Sequence, residues 1–226
     1  MIAAMATDYI PQISPLGDSA AIVRFESRLE FAANERAIVF AQHLSARPIA
    51  GVTEVASGLV SVLVRYDFTK LRFSDLAGEL RLLLGTGHTS QDTTTGATYK
   101  IGVRFGGVNG PDLITVAEQL NLTASQFVQK HNASPLRVLA TGFAPGFVYC
   151  GMHANDLVLP RRPQVRAMVP AGTVLFAAGQ TAITATPIPT GWHVIGQTDY
   201  SNFDHTSTPP TKLRPGDKIV FLDDAR

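Results

Sequence analysis

The sequence predicts two domains: an α+β unit of the ferredoxin-like type over residues 1–90, followed by a mainly β unit over residues 91–226. Three observations lead there. The first part of the chain alternates between period-two and helical apolar patterns in the order strand, helix, strand, strand, helix. The segment GTGHTSQDTTTG, Gly85 to Gly96, then holds no apolar residue at all, which suits a linker and not a packed element. From Arg137 onward, short apolar runs are separated by Pro and Gly, the punctuation of a barrel or sandwich.

Each element follows from its own pattern. Pro15 to Asp18 reads as a turn region. After it, Ala21, Val23 and Phe25 alternate with Arg24 and Glu26, so the first strand is half-buried. From Phe31 to Ala46, the spacing of Ala37, Phe40, Ala41 and Leu44 makes one stripe of an amphipathic helix, ended by Pro48 and Gly51. Val52 to Ala56 and Leu59 to Tyr66 form a hairpin about Ser57 and Gly58. A second helix spans Asp75 to Leu84, with Ser74 as its cap and Leu76, Leu80, Leu83 and Leu84 inward.

The second domain opens on Tyr99, Ile101, Val103 and Phe105, facing opposite to Lys100, Gly102 and Arg104. In GPDLITVAEQLN, Pro111 suits a first helical turn and Asp112 the positive helix end. Thr123 and Gln126 have the spacing of a capping box, and Pro135 bounds that second short helix. VPAG from Val169, PTGW from Pro189 and RPGD from Arg214 mark turns, and Lys218 to Leu222 is the last strand.

Composition excludes several function classes. The chain is 45% hydrophobic and only 16% charged, with a net charge of +1, so bulk electrostatics favour neither nucleic acid nor an anionic membrane. At this length, folding buries roughly 70% of the unfolded surface, enough for a core without metal or disulfide. Cys150 is the single cysteine, which fits a reducing cytoplasm. MIAAMATDYIPQ lacks a basic leader, no run of about 18 apolar residues occurs, and secretion and membrane spanning are not expected. The glycosylation patterns at Asn121 and Asn132 are read as accidental. There is no phosphate loop, since GGVNG from Gly106 lacks the lysine; there is no nucleophile elbow, and no metal site is evident.

Four stretches carry chemistry. GFAPGFVYCGM, Gly142 to Met152, joins Gly142, Gly146, Gly151 and Pro145 to bulky apolar side chains, which makes it either one wall of a ligand site or a structural cap on a barrel. Cys150 in it is a nucleophile assisted by His153 or His193, or simply a small buried hydrophobe; nothing places a base beside it. In PRRPQVRAMVPAGTV, Arg161, Arg162 and Arg166 precede a tight turn and either clamp a carboxylate or phosphate or form a solvated basic loop. Gln180 and Thr181 can orient an amide or carboxylate, and Trp192 offers an apolar wall with one donor; each also has an ordinary packing explanation.

Taken together, FGGVNGPDL, GFAPGFVYCGM, LPRRPQVRAMVPAGTV, GQTAI and GWHVIG are similar in order and spacing to the KipI family, also known as the B subunit of 5-oxoprolinase or allophanate hydrolase subunit 1, with carboxyltransferase subdomains C and D. The motifs cover the carboxy-terminal part from about Tyr99 to Asp223. The resemblance implies a cyclophilin-like barrel for the second domain. It implies a non-autonomous subunit of an ATP-dependent amidohydrolase that opens 5-oxoproline to glutamate with a homologous cyclophilin-like partner and a third subunit. ATP with Mg belongs to the complex. Other branches of the resemblance imply inhibition of a sensor histidine kinase, or a carboxyltransferase component of a urea carboxylase.

The family's motifs place candidate substrate-binding positions at Pro145, Gly146, Phe147, Tyr149, Arg161, Arg166, Gln180, Thr181 and Trp192. On that basis Arg161 and Arg166 bind anionic groups, Gln180 and Thr181 orient the amide, and the Pro145 to Tyr149 loop with Trp192 forms the apolar wall; no residue stands out as the nucleophile. The chain departs from the family at Ala177 and Ala178, at Ala182 and Thr184, at Thr190 and at His193, changes that bear on substrate and activity.

Overall fold

The computed structural model of the protein describes residues 10–85 and 96–224, which form two compact units. The polar segment read as a boundary falls largely outside the described residues, as does most of the amino-terminal stretch read as lacking a leader.

The first unit contains β1 (Gln12–Pro15), β2 (Ala20–Arg24), α1 (Phe31–Ala46), β3 (Val52–Ser57), β4 (Ser61–Tyr66) and α2 (Phe73–Gly85). Its sheet runs β1-β2-β4-β3, antiparallel throughout. The period-two pattern turns Ala21, Val23, Val62 and Val64 onto one face, where they meet Ala37, Phe40 and Leu44 of α1 and Leu76 and Leu80 of α2.

Two expectations change here. β1 lies just ahead of the Pro15 to Asp18 turn, where no strand was expected: it is an exposed edge strand in which Ile13 is partly buried and its neighbours are exposed, so no alternation betrays it, and its backbone pairs with β2 fix it. In a βαββαβ chain the strand on that edge follows the second helix; here it precedes the first, so the edge is filled from the amino-terminal side. Ser74 is not a cap. It lies inside α2, and its hydroxyl donates to Asp75 at 3.1 Å.

The second unit comprises β5 (Thr98–Phe105), α3 (Leu113–Gln119), α4 (Ala124–His131), β6 (Leu136–Thr141), β7 (Val148–Gly151), β8 (Arg166–Val169), β9 (Thr173–Ala177), β10 (Gln180–Ile183), β11 (Ile188–Thr190), β12 (His193–Gln197) and β13 (Lys218–Asp223). Seven strands close into a barrel in the order β10-β7-β6-β13-β5-β12-β9, and β8 pairs with β11 as a separate ribbon. The capping box of α4 forms in both directions: Gln126 N–H donates to Thr123 Oγ1 at 3.2 Å, and Thr123 N–H to Gln126 Oε1 at 2.8 Å.

The barrel has two apolar clusters, one on each side of its wall. Val148, Cys150, Val174, Phe176, Ile183 and Ile195 join Phe127 of α4 in the larger one. The alternate residues Tyr149, Leu175, Ala177, Ala182 and Val194 face the other way, where Val169 and Ile188 of the ribbon and Trp192 cover them. Every residue of β9 and β10 is therefore buried. β9 reads as a near-continuous apolar run and β10 begins with two adjacent polar residues, so neither alternates and sequence periodicity cannot tell their two faces apart.

β9 and β10 are joined by Ala178 and Gly179, both with positive φ, at 52° and 71°. This is the pattern of a type I′ hairpin, whose right-handed twist matches the strands. Gly accepts it freely; an alanine Cβ meets the following carbonyl, a cost of about 1–2 kcal/mol. Replacing Ala178 by Gly should raise stability by about 0.5–1 kcal/mol after the extra unfolded-state entropy of Gly is deducted. Urea unfolding would show this as a higher midpoint at unchanged slope.

Candidate functional site

The arginine-rich loop is laid across the hairpin ends by its own backbone. Ala178 N–H donates to the Leu159 carbonyl at 2.6 Å, the His193 ring lies 3.0 Å from the Pro160 carbonyl, and Arg162 N–H donates to the Gly191 carbonyl at 2.7 Å. The Gly191 turn is itself closed by Trp192 N–H donating to Thr190 Oγ1 at 3.0 Å. Held this way, Arg161 stands 5.8 Å from the centre of the Trp192 ring. Cation–π attraction at a partly exposed site contributes about 0.5–1 kcal/mol, enough to bias the guanidinium without immobilising it.

Beneath Arg161 runs a ladder of aromatic rings. Trp192 and Tyr149 are 6.0 Å apart, Tyr149 and Phe147 4.8 Å, and Phe147 and Phe143 5.5 Å, all edge to face. Burial pushes the Tyr149 hydroxyl pKa up, partly offset by the charge of Arg161. Phe147, Tyr149, Arg161 and Trp192, drawn from three separate segments, thus come together as one wall.

Arg166 has a different setting. Its Nη2 donates to Asp112 Oδ1 at 2.6 Å, Arg162 Nη1 lies 3.9 Å from Asp112 Oδ2, and that same oxygen accepts Val194 N–H at 2.8 Å. Asp112 also donates its own N–H to the Val194 carbonyl at 3.0 Å. One carboxylate thereby fixes the start of α3, β12 and the arginine loop. In sequence Asp112 belongs to the helix dipole, yet its side chain makes no cap bond to α3. Arg166 serves to hold the loop, so of the two arginines expected to bind anions, Arg161 is the one left without an ion pair among the described residues.

Gln180 and Thr181 separate. Adjacent residues of a strand face opposite ways, and Thr181 turns toward the cluster of Cys150 and Phe176, its register partners, while Gln180 shares its face with Ala182 and, across the ladder, Gly151 and Ala177. The expectation that both orient one amide is corrected by this alternation. Gln180 is buried, and its Oε1 has no hydrogen-bond partner. A buried orphan acceptor costs about 1–3 kcal/mol.

Thr181 meets two histidines that the sequence did not associate with it. His131 Nε2 and His153 Nε2 each lie 2.8 Å from Thr181 Oγ1, and His131 Nδ1 lies 2.7 Å from Asn132 Oδ1. Asn132 Oδ1 can only accept, so the neutral His131 ring carries its proton on Nδ1 and accepts the Thr181 hydroxyl proton at Nε2; His153 Nε2–H then donates to Thr181. Burial lowers the His131 pKa to about 4, opposed by the bond to Asn132, and lowers that of His153 to about 3, with His131 adding to the effect. The histidines lie 22 residues apart in sequence and 50 and 28 from Thr181, and only the barrel brings them together.

Of the remaining positions, Pro145 is exposed on the loop, and Gly146 is a packing glycine: a Cβ there would come within 2.6 Å of Phe203 and 2.7 Å of Ala185. Cys150 is fully buried, and desolvation pushes its thiol far up, so it is the small hydrophobe of the two alternatives. The departures have structural employment as well. Thr184 donates to the Pro170 carbonyl at 2.8 Å and accepts Thr173 N–H at 2.9 Å, while Ala182 is a buried methyl of the wall. Among the described residues no group of three or more His, Cys, Asp or Glu is placed to hold a metal ion, and no helix is long and apolar enough to cross a membrane.

A closed seven-stranded barrel bearing an aromatic wall with a basic loop laid over it places the chain in the class of carboxyltransferase-type barrel domains. The chain belongs to the carboxyltransferase domain, subdomain C and D family, whose model matches residues 11–213. It is 31% identical to the B subunit of 5-oxoprolinase from Escherichia coli O157:H7, over 92% of this chain and 93% of that protein. It is 30% identical to the B subunit of 5-oxoprolinase from Bacillus subtilis strain 168, over 93% and 92%. The Kluyveromyces lactis urea amidolyase shares the fold, with a TM-score of 0.78 at 16% identity over 94% of this chain and 15% of that one.

Replacing Asp112 by Asn should cost about 2 kcal/mol, since it leaves two guanidinium groups against an amide, and chemical denaturation measures it. The histidines predict a pH effect of definite sign. Their folded pKa values lie below the ordinary histidine value of 6.5, so the unfolded chain binds more protons between, and stability falls as pH drops from about 6.5 toward 4 and 3. The slope is up to roughly 1.4 kcal/mol per pH unit for each group. In His153→Gln, which keeps an N–H for Thr181, the loss of stability between pH 7 and pH 5 should shrink; an undiminished loss would refute the assignment.

Proposed function

We propose that the chain is a subunit of an ATP-dependent 5-oxoprolinase and contributes part of the site that binds the cyclic amide. The observation that carries this reading is Arg161, a guanidinium with no ion pair among the described residues, standing over buried aromatics. A small ring bearing a carboxylate has the matching parts: an apolar face for Tyr149 and Trp192, and an anion for Arg161. Similarity to the two bacterial 5-oxoprolinase subunits over more than nine-tenths of both chains supports it. On the same reading the first unit is of the ferredoxin-like type with its edge strand supplied by β1, the barrel is cyclophilin-like, and the protein works in the cytoplasm.

An unstrained lactam resists hydrolysis unless its carbonyl is activated and water is kept from the activated species. Phosphorylation by ATP would supply the activation. The glycine-rich segment from Gly106 lacks the lysine of a phosphate loop. We therefore place ATP on other subunits, a homologous cyclophilin-like partner and a third chain, and give this chain the tasks of binding, orienting and excluding water. A carboxyltransferase role has the fold of the urea amidolyase behind it and would require a biotinylated carrier; a kinase inhibitor would turn nothing over.

In the reconstituted complex, Arg161→Ala should lower kcat/KM for 5-oxoproline about 30-fold, as loss of one charge-assisted pair implies, while stability falls by no more than the about 0.5–1 kcal/mol of the contact with Trp192. Arg166→Ala should lower activity and stability together. Native pulldown followed by a glutamate-release assay checks both; turnover of Arg161→Ala equal to wild type, or recovery of a kinase alone, would sink the reading.

A further inference from the structure

We propose that Gln180 is the specificity-determining residue that accepts the ring N–H of the cyclic amide, held for that task by the buried His131, Thr181 and His153 behind it; this rests on the 5-oxoprolinase reading. Gln180 is more than nine-tenths buried, and its Oε1 meets no donor. Its neighbours across the ladder on that face are Gly151 and Ala177, and Ala182 follows along the strand. None of these side chains is a hydrogen-bond donor. A buried carbonyl oxygen in such surroundings is complementary to a ligand that brings an N–H. Gly151 lets the Gln180 stem lie close against β7, since a Cβ there would meet Leu139 Cδ1 at 3.3 Å and Gln180 Cγ at 3.4 Å.

The position of that oxygen is fixed from inside. Thr181, the next residue, makes two hydrogen bonds of 2.8 Å to the ends of separate elements, His131 at the close of α4 and His153 just after β7. A shift or twist of β10 that moved Gln180 would break both within the core. His131 is further restrained by its 2.7 Å bond to Asn132 and by packing against Phe127 and Phe221. Thr181 is thus a positioning residue, acting through the strand it shares with Gln180.

A lactam offers an N–H at the ring position where a lactone has an oxygen lone pair and an N-methyl lactam a methyl group. A site built around one hydrogen bond rejects analogues lacking it far more strongly than a shape-matched pocket does. The test is competition by the γ-lactone analogue and N-methyl-5-oxoproline against 5-oxoproline turnover in the reconstituted complex. The wild type should favour the lactam by at least about 100-fold. Gln180→Met should bring the three within about 3-fold, and Gln180→Glu, which keeps an acceptor, should retain a preference. Thr181→Val should shrink the preference about 10-fold, whereas Thr181→Ser, with its hydroxyl, restores it.

Equal affinity of the wild type for lactam and lactone, or full discrimination by a folded Gln180→Met, overturns the assignment while 5-oxoproline turnover leaves the functional reading standing. If Gln180→Met does not fold, the wild-type series decides alone. Undiminished discrimination by Thr181→Val overturns the positioning role. No turnover of 5-oxoproline by the complete complex overturns the reading and this inference together.

Discussion

The barrel wall formed by β9 and β10 is buried on both faces, and this constraint organises the second unit. A strand between two apolar clusters gives alternate residues to each, so each side chain's role follows from parity. In β10, Gln180 and Ala182 share the face toward the ribbon and the aromatic wall, while Thr181 and Ile183 look into the larger cluster; in β9, Leu175 and Ala177 take the first face and Val174 and Phe176 the second. Two adjacent polar residues can then serve one ligand only indirectly, one touching it and the other bracing the strand.

Asp112 supplies the second organising interaction. A hydrophobic wall needs no direction, but a charged loop laid over it does, and a carboxylate that accepts from Arg166 and the backbone of β12 and lies 3.9 Å from the Arg162 guanidinium gives the loop one place to lie. Arg161 gains its exposed position because its two neighbours in charge are held. Three arginines close in sequence thus divide into two drawn to Asp112 and one, over Trp192, that has no ion pair among the described residues. A loop of like charge is a stable feature here because part of that charge is neutralised within the fold.

The departures from the family pattern fall on the same scaffold. Ala178 takes a left-handed conformation at the β9–β10 turn, and Thr184 and His193 hydrogen-bond to the backbone at Pro170 and Pro160. These residues fix backbone, while Ala182 adds a methyl to the wall itself. Changes of this kind alter packing and loop anchoring without introducing new reactive groups.

Elements whose signal is local could be read from the chain before any contact was known. The helices Phe31–Ala46 and Ala124–His131 were legible from periodicity and capping chemistry, and β5 from alternation, because each signal lies within one turn or one pleat. The motif blocks likewise marked Phe147, Tyr149, Arg161 and Trp192, which converge. Other features exist only once the units have folded. The edge strand β1 has no buried face to pattern, and Asp112 looks like any acid at a helix start. The facing of Gln180 and Thr181 depends on register, and the joining of His131 and His153 on barrel closure. Those outcomes arise from contacts between residues tens of positions apart, to which no local pattern of side chains responds.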